Sequence, residues 1–255
     1  AVTGGGGLLC GEMARGFGNA GCKVLVLDLR EEKAKAVADE ITSAGGEAKF
    51  MAMDATIKDD FHKALSYCKE TWGHCDILVN GAGFNDIDIL INGAGINAPT
   101  PVMEISEKEW DSILSSHLKS TLFGSQVFGQ HMLSRGRGSI MNMSSASAGP
   151  PLSKAFTYSV AKAGIVRLTP NTAREWAAGG VRVNALRPGF FPTEWSRKNF
   201  ITKEREASIL GHTPMKRYGE ANELVGATLW LASDAAGFVT GAEITVDGGF
   251  TAMTI

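Results

Sequence analysis

The chain has 255 residues, of which 44% are hydrophobic and 20% are charged, and its formal net charge is -2. A chain of this length can bury a full core, and α/β chains of this size commonly fold as one domain, so we expect a single domain over residues 1–255. The near-neutral balance excludes a basic surface for nucleic acid and an acidic interaction tail. A protein that handles small molecules fits this balance.

Targeting signals and metal motifs are not evident. The longest apolar runs are strand-sized and fall short of the roughly 18 residues that a membrane span needs. No basic-then-apolar leader opens the chain, so we expect a cytoplasmic protein that does not bind membranes. The cysteines form no C-x-x-C pair and have no histidine at ligand spacing, which argues against a zinc site or a disulfide scaffold. They are Cys10, Cys22, Cys68 and Cys75.

Short β-type runs alternate with longer segments of helical period at the start of the chain. In order, these are Lys23 to Leu27, Glu31 to Ala44, Ala48 to Met53 and Lys58 to Trp72. The βαβα order predicts a parallel sheet with helices on both faces. The first of the two helices has an apolar stripe at i, i+3, i+4 and i+7, formed by Ala34, Val37, Ala38 and Ile41.

The remaining elements continue the alternation without a linker. They are a long helix from about Ser106 to Ser134, a strand from Ser139 to Met143, a helix from about Tyr158, a strand from Val181 to Leu186, and a helix–strand pair after Glu220. Unbroken alternation over the whole length again predicts one α/β domain.

Two irregularities stand out. Only three residues precede a glycine cluster, where a central first strand should occupy four or five more positions, so we expect the natural N-terminus to be missing. The segment 76–83 recurs at 88–95, as DILVNGAG and then DILINGAG. Only one copy can be the fourth strand of the sheet, and the other should bulge near the rim of the site.

The glycine cluster lies between a β-type fragment and a helical segment, at Gly4 to Gly7. Residues without side chains let backbone N–H groups approach the phosphates of a dinucleotide, and the following helix N-terminus adds a favourable dipole. A glycine cluster alone is also typical of a plain turn.

An acidic residue, Asp28, ends the second strand about 20 residues after the cluster. At that point a carboxylate can accept hydrogen bonds from an adenosine ribose diol and repel a 2'-phosphate, which favours NAD over NADP. Arg30 leaves NADP open, because a guanidinium could bind the phosphate. Asp28 could also be the N-cap of the next helix.

A tyrosine and a lysine four residues apart, Tyr158 and Lys162, should share one face of a helix. An ammonium stabilises a phenolate and lowers the pKa of the phenol from about 10 toward a useful range. Such a tyrosine can exchange a proton with a carbonyl or alcohol oxygen. Ser144 and Ser145 end the strand before it, at the edge where open α/β sheets bind ligands.

The order of motifs resembles the short-chain dehydrogenase/reductase family over essentially the whole chain. It comprises the T-G-rich loop, Asp28, Asp54, Asn-Gly-Ala-Gly, Ser-Ser, Tyr-x-x-x-Lys, Pro188-Gly-x-x-x-Thr193 and Val246-Asp-Gly-Gly249. The resemblance implies a doubly wound Rossmann sheet of about seven strands and an NAD(P)-dependent oxidoreductase acting on CH–OH groups. It makes Tyr158 the acid/base, has Lys162 bind the nicotinamide ribose and has Ser145 polarise the carbonyl.

The resemblance also implies the cofactor-binding residues and the assembly. Besides Tyr158 and Lys162, the implied contacts are Gly4, Gly7, Leu8, Leu9, Asp28, Leu29, Asp54, Ala55, Asn80 or Asn92, Gly93, Pro188, Gly189, Phe191 and Thr193. A homotetramer or homodimer is implied, with the helices at Ser106 to Ser134 and from Tyr158 to Ala178 paired between copies.

Three features depart from the family pattern. Leu8 and Cys10 stand where its later glycines fall, so we expect a shifted loop. His117 stands where an asparagine holds a proton-relay water, and an imidazole there could act similarly or could simply pack within the helix. The repeat leaves the cofactor asparagine open between Asn80 and Asn92.

Two stretches resemble a narrower branch of sugar-acid reductases, which interconvert D-fructuronate and D-mannonate. They are the loop from Thr3 to Met13, and Pro188 to Arg197 followed by His212 to Met215. Arg197 is the expected carboxylate ligand, because arginine holds carboxylates bidentately. Asn97, Ser147, Ser145 and Tyr158 are the other substrate candidates, under a lid at about 190–215.

One other function is consistent with these motifs, and a second is disfavoured. A catalytically impaired NAD-binding sensor or scaffold would account for His117 and the altered glycine loop. A sugar-nucleotide epimerase or dehydratase would need a larger substrate domain than the roughly sixty residues after Thr193 provide. The sequence leaves the exact substrate and the direction of reaction open.

Overall fold

Seven parallel strands form the central sheet. A computed structural model describes residues 1–81, 100–150, 152–153, 155–192 and 201–253. The strands are β1 (Val2–Thr3), β2 (Lys23–Asp28), β3 (Glu47–Ala52), β4 (Ile77–Asn80), β5 (Gly138–Met143), β6 (Val181–Pro188) and β7 (Glu243–Val246). Their order across the sheet is β3-β2-β1-β4-β5-β6-β7, and each neighbouring pair is parallel.

Helices cover both faces of this sheet. The α-helices in the described ranges are α1 (Leu8–Asn19), α2 (Glu31–Ser43), α3 (Lys58–Trp72), α4 (Glu107–Leu114), α5 (Ser120–Arg135), α6 (Phe156–Trp176), α7 (Lys203–His212) and α8 (Val225–Ala232). The predicted doubly wound Rossmann sheet is confirmed, and α3 has the predicted bounds. Among the helices of the described ranges, none is both long and apolar enough to cross a membrane.

Two hydrophobic cores lie on opposite faces of the sheet. Alternate residues of β2 enter different cores: Val24 and Val26 pack in one, and Leu25 and Leu27 pack in the other. This is the two-residue period of a strand buried on both faces. The first core also contains residues of α1, α2 and α8, and the second contains residues of α3, α5 and α6.

The structure corrects one predicted element and resolves another. The helix expected from Ser106 to Ser134 is interrupted by a π-helical turn at Ser115–Lys119, which separates α4 from α5. The first copy of the repeat supplies β4. The second copy, at 88–95, lies outside the described residues, as does its expected bulge.

The strand order reverses between β1 and β4, from which successive connections run to opposite edges of the sheet. In open α/β sheets, ligands bind in the crevice at the carboxyl ends of the strands at this switch point. The loops after β1, β2, β4 and β5 carry the glycine cluster, Asp28 at the end of its strand, Gly81 and Ser144. The topology therefore brings the predicted motifs to one edge.

Candidate active site

The glycine loop connects β1 to the N-terminus of α1. Gly4 has a φ of +67°, a left-handed conformation that favours glycine. Its carbonyl accepts a hydrogen bond from Gly7 N–H (3.0 Å), and Gly5 N–H donates to the Leu27 carbonyl (2.9 Å), which fixes the loop against β2. Gly7 is the N-cap of α1 and has no side chain to cover the first-turn N–H groups. This arrangement suits a pyrophosphate.

The three residues that follow the glycine cluster, at the start of α1, have different surroundings. Leu8 is 38% exposed, whereas Leu9 packs in the first core. Cys10 is buried, and its Sγ occupies the space where a side chain at Gly81 would begin. The chain thus accommodates Cys10 because the residue after β4 is glycine.

Asp28 joins the end of β2 to the glycine loop. Its Oδ2 accepts a hydrogen bond from Gly6 N–H (3.1 Å), and its Oδ1 accepts one from Arg30 N–H (3.1 Å). The N-cap of α2 is Arg30 rather than Asp28, so the alternative N-cap assignment of Asp28 is wrong. The Arg30 Nε lies 3.9 Å from Asp28 Oδ1, which pairs the two charges. Leu29, between them, is 44% exposed.

Asp54 follows β3 and is partly engaged by its own turn. Its Oδ1 accepts hydrogen bonds from the Thr56 N–H (2.8 Å) and hydroxyl (2.7 Å). Among the described residues, no group donates a hydrogen bond to Asp54 Oδ2, so this oxygen could accept one from a ligand. Ala55 packs against the second core.

Asn80 ends β4 with its side chain in the protein interior. Its amide donates to Asn142 Oδ1 (3.0 Å) and Ser125 Oγ (3.2 Å), while its own Oδ1 is buried beside Gly124. Asn142 in turn donates to Thr169 (3.1 Å). This polar network links β4, β5, α5 and α6, so any cofactor contact from Asn80 is left to its backbone.

Tyr158 and Lys162 lie together on the first turns of α6, as the four-residue spacing predicts. Both are buried, at 3% exposure each, and Lys162 Nζ is 5.5 Å from the centre of the Tyr158 ring. The ammonium donates to the Met143 carbonyl at the end of β5 (2.8 Å). Burial lowers the pKa of Lys162 to about 8, while proximity to Cys10 opposes that change.

Ser145 lies just after β5, two residues beyond Met143, whose carbonyl accepts the hydrogen bond from Lys162. Its Oγ accepts hydrogen bonds from the Ser147 N–H (3.1 Å) and from the Ser147 hydroxyl (3.0 Å). Both serines are almost fully buried. Ser147, predicted as a substrate contact, therefore positions the Ser145 oxygen in this structure.

His117 lies in the π-helical turn and contacts the tyrosine. Its ring meets the Tyr158 ring edge-on, with 5.0 Å between the centroids, and only 1% of the residue is exposed. The His117 carbonyl accepts from the Ser120 and Thr121 hydroxyls (3.0 and 2.8 Å). π-helical turns inside α-helices are frequent at functional sites. The sequence predicted His117 but not the turn that aims it.

The chain leaves β6 through Pro188 and Gly189. Gly189 N–H donates to the Val246 carbonyl (2.8 Å), and a side chain at this glycine would overlap Asp247. The side chain of Phe191 is buried against Gly219. The other predicted site residues lie outside the described residues; they are Asn92, Gly93, Asn97, Thr193 and Arg197.

Sequence reasoning missed a set of polar residues on α7. Arg205, Ser208 and His212 line a cavity with Leu152 and Phe190. Their spacing of three and four residues was the available signal, since it places them on one helix face. No group of three or more potential metal ligands converges in the part of the chain that the structure describes.

Comparison with known proteins assigns the family. Residues 9–251 match a family profile described as enoyl-(acyl carrier protein) reductase, one of the short-chain dehydrogenase/reductase profiles. The chain belongs to the short-chain dehydrogenase/reductase family. It is accordingly an oxidoreductase that acts on CH–OH groups with NAD or NADP.

Similar proteins include one curated relative and two solved structures. The uncharacterized oxidoreductase UxuB of Bacillus subtilis is 38% identical over 99% of this chain and 94% of its own. A putative D-mannonate oxidoreductase from Haemophilus influenza with bound NAD is 32% identical (99% and 94% covered; TM-score 0.88). A gluconate 5-dehydrogenase from Burkholderia cenocepacia, in complex with NADP and tartrate, is 29% identical (99% and 94% covered; TM-score 0.89).

Proposed function

We propose that the chain interconverts a secondary alcohol and a carbonyl of a sugar acid or polyol, of the D-mannonate/D-fructuronate kind. The observation that carries this proposal is the convergence of Ser145, Tyr158 and Lys162 beside the carboxyl end of β5, next to the glycine loop. The names of two structural neighbours support the sugar-acid class, since they describe oxidoreductases of D-mannonate and gluconate.

Each residue of the site has a separate task in this reaction. The Tyr158 hydroxyl gives its proton to the carbonyl oxygen, or takes one from the alcohol in the other direction. Ser145 hydrogen-bonds the same oxygen, and Ser147 keeps the Ser145 hydroxyl in place. The Lys162 ammonium stabilises a phenolate at Tyr158. We assign to His117 the relay position, because its ring contacts the Tyr158 ring edge-on.

The described residues fit a nicotinamide dinucleotide. The uncovered N-terminus of α1 suits the pyrophosphate, Asp28 the adenosine ribose, Asp54 and Ala55 the adenine, and Lys162 the nicotinamide ribose. We assign the carboxamide end to Pro188, Gly189 and Phe191. When bound, this cofactor supplies or accepts the hydride. We propose NAD as the preferred form, because Asp28 presents a carboxylate and already pairs with Arg30.

Replacing Asp28 by serine is expected to reduce the preference for NAD. We expect the KM for NAD to rise about 10- to 100-fold, because hydrogen bonds to a charged group contribute about 1.5–3 kcal/mol. The KM for NADP should fall, because Arg30 is released from its carboxylate. Steady-state kinetics with both cofactors measure this change. Asp39→Ser, which removes an exposed carboxylate from α2, is the matched control; unchanged cofactor preference in Asp28→Ser would contradict the assignment.

A substrate panel tests the proposed reaction directly. Aldonates, uronates and the corresponding alditols are incubated with NAD, and keto acids with NADH, while absorbance is followed at the nicotinamide band. We expect turnover with at least one sugar acid or polyol, and higher kcat/KM with NAD than with NADP. Tight NAD binding without turnover on the whole panel would instead favour a sensor or scaffold.

We further propose a lid and an assembly for this enzyme. The lid spans about residues 190–215 and includes α7. Apolar side chains on α5 and α6 remain 38–48% exposed: Leu122, Phe156 and Val160. Such exposure favours contact with a second copy, and hence the homotetramer or homodimer that the sequence predicts. We keep the cytoplasm as the proposed location.

A further inference from the structure

A cavity of about 330 Å³, open to solvent, lies between α7 and the segment that follows Ser145. Its volume falls within the range of small-molecule sites. Its apolar side is formed by Pro150, Leu152, Phe190, Ile209 and Phe250, and its polar side by Ser153, Arg205, Ser208 and His212. Phe190 and Phe250 pack against each other with 4.8 Å between ring centroids. The cavity thus combines an apolar wall with a set of hydrogen-bond donors.

One face of α7 supplies most of those donors. Arg205, Ser208, Ile209 and His212 follow each other at i, i+3, i+4 and i+7 and all line the cavity. Ile209 is buried and anchors this face against the aromatic residues. The start of the helix is fixed because the Thr202 hydroxyl accepts a hydrogen bond from the Arg205 N–H (3.2 Å). The His212 ring packs edge-on against Phe250 at 4.7 Å.

The cavity adjoins the catalytic residues. Leu152 lines it and also packs against the small cluster that contains Tyr158. Ala146, the neighbour of Ser145, is buried in the cluster that contains Phe190 and Phe250. A substrate whose hydroxyl reaches Ser145 and Tyr158 therefore has this cavity beside it.

Charge distinguishes Arg205 from the arginines around it. Arg187 is paired with Glu243 (2.7 Å), and Arg217 is paired with Glu223 (2.6 Å). Within the described residues, Arg205 has no carboxylate partner, and no acidic side chain lines the cavity. A half-buried guanidinium without a counter-ion is a ready site for an anionic group, which it can bind bidentately.

We infer that Arg205, assisted by Ser208 and His212, binds the carboxylate of a sugar-acid substrate. This inference rests on the proposed function and adds to it the part of the site that distinguishes acids from uncharged polyols. The carbinol end of the substrate lies at Ser145 and Tyr158, and the acid end lies against α7. Arg205 thus takes the task that the sequence analysis predicts for Arg197, which lies outside the described residues.

The test compares acids with their alditols in matched variants. Arg205→Met removes the charge and keeps the length, Arg205→Lys keeps a charge but not the fork, and Lys203→Met removes an exposed charge from the same helix outside the cavity. In Arg205→Met we expect kcat/KM for the best sugar acid to fall about 10- to 100-fold, mainly through KM, because a charge-assisted contact is lost. Activity on the corresponding alditol should change less than about 3-fold.

The controls separate this inference from the proposed function. Arg205→Lys should recover part of the lost kcat/KM for acids, His212→Gln should lose less than Arg205→Met, and Lys203→Met should behave as the wild type. Equal losses on acid and alditol in Arg205→Met, or a wild type that oxidises alditols but no acid, would overturn the inference and leave the dehydrogenase function intact.

A wild type that is inactive on the whole panel would remove the proposed function, and binding would then decide the inference. The readout is the thermal midpoint of the NAD-loaded protein with and without D-mannonate or D-gluconate. A ligand-dependent rise in the wild type that is absent from Arg205→Met supports the carboxylate site. No rise in the wild type, or an equal rise in both, overturns it.

Discussion

Replacing Tyr158 by phenylalanine is expected to lower kcat about 10²- to 10⁴-fold while cofactor binding stays within a few-fold of the wild type. The change deletes the hydroxyl that exchanges the proton and keeps the ring. The edge-on contact with His117 and the position of Lys162 over the ring depend on that ring, so the site should keep its shape. Turnover on the best substrate and NAD affinity by calorimetry measure the two quantities separately.

The matched control is the same substitution at Tyr67, which packs in the second core away from the crevice. Tyr67→Phe should keep wild-type kcat, so a general effect of losing a phenol would be recognised. Full turnover in Tyr158→Phe would contradict the proposed mechanism. A large loss of NAD affinity together with kcat would show that the hydroxyl serves binding rather than proton transfer.

The layout of the sheet was predictable because its signals are local. Apolar runs such as Val24 to Leu27 are short and continuous, as expected of strands buried on both faces, and the apolar stripe of α2 is buried as predicted. The proximity of Tyr158 and Lys162 was predictable because four residues make about one helical turn. Ser145 followed from its place at the end of a strand.

The finer positions of the site depend on contacts between distant segments. Nothing local in the sequence around His117 indicates the π-helical turn that directs its ring at Tyr158. The bulk of Cys10 in the glycine loop is accommodated by Gly81, seventy-one positions later. The amide of Asn80 enters a buried network with Asn142 and Ser125 rather than facing the crevice. Arg205 could not be recognised from the sequence, because the cavity that it lines forms only when α7 packs beside Phe190 and Phe250.

Lys162 is expected to have opposite effects on stability and on activity. Burial lowers the pKa of Lys162 from 10.5 to about 8, so the folded state disfavours the ammonium that the reaction uses. Below about pH 8 both the folded and the unfolded chain carry this proton, and the cost is fully present. Between pH 8 and 10.5 the folded chain loses the proton first, so the free energy of unfolding of the cofactor-free protein should rise with pH.

Lys162→Met should therefore raise the free energy of unfolding of the cofactor-free protein at pH 7 by about 1–3 kcal/mol. The gain is smaller than the pKa difference alone implies, because the Met143 carbonyl loses its hydrogen bond (2.8 Å). Activity should fall at least about 10²-fold, because no cation remains beside the phenolate. Denaturant unfolding from pH 7 to pH 10.5, with kinetics at pH 7, measures both effects.

The pH dependence distinguishes this account from a purely structural role for Lys162. If the buried ammonium is the cause, the stability advantage of Lys162→Met is largest at pH 7 and shrinks as the pH approaches 10.5, where the folded chain has lost the proton and the unfolded lysine is half protonated. Lys108→Met, which removes an exposed lysine from α4, should show no such trend. A variant that is less stable than the wild type at every pH would mean that packing and the Met143 contact outweigh the charge. In that case the contacts of Lys162 would stabilise the fold by more than the burial of its ammonium destabilises it.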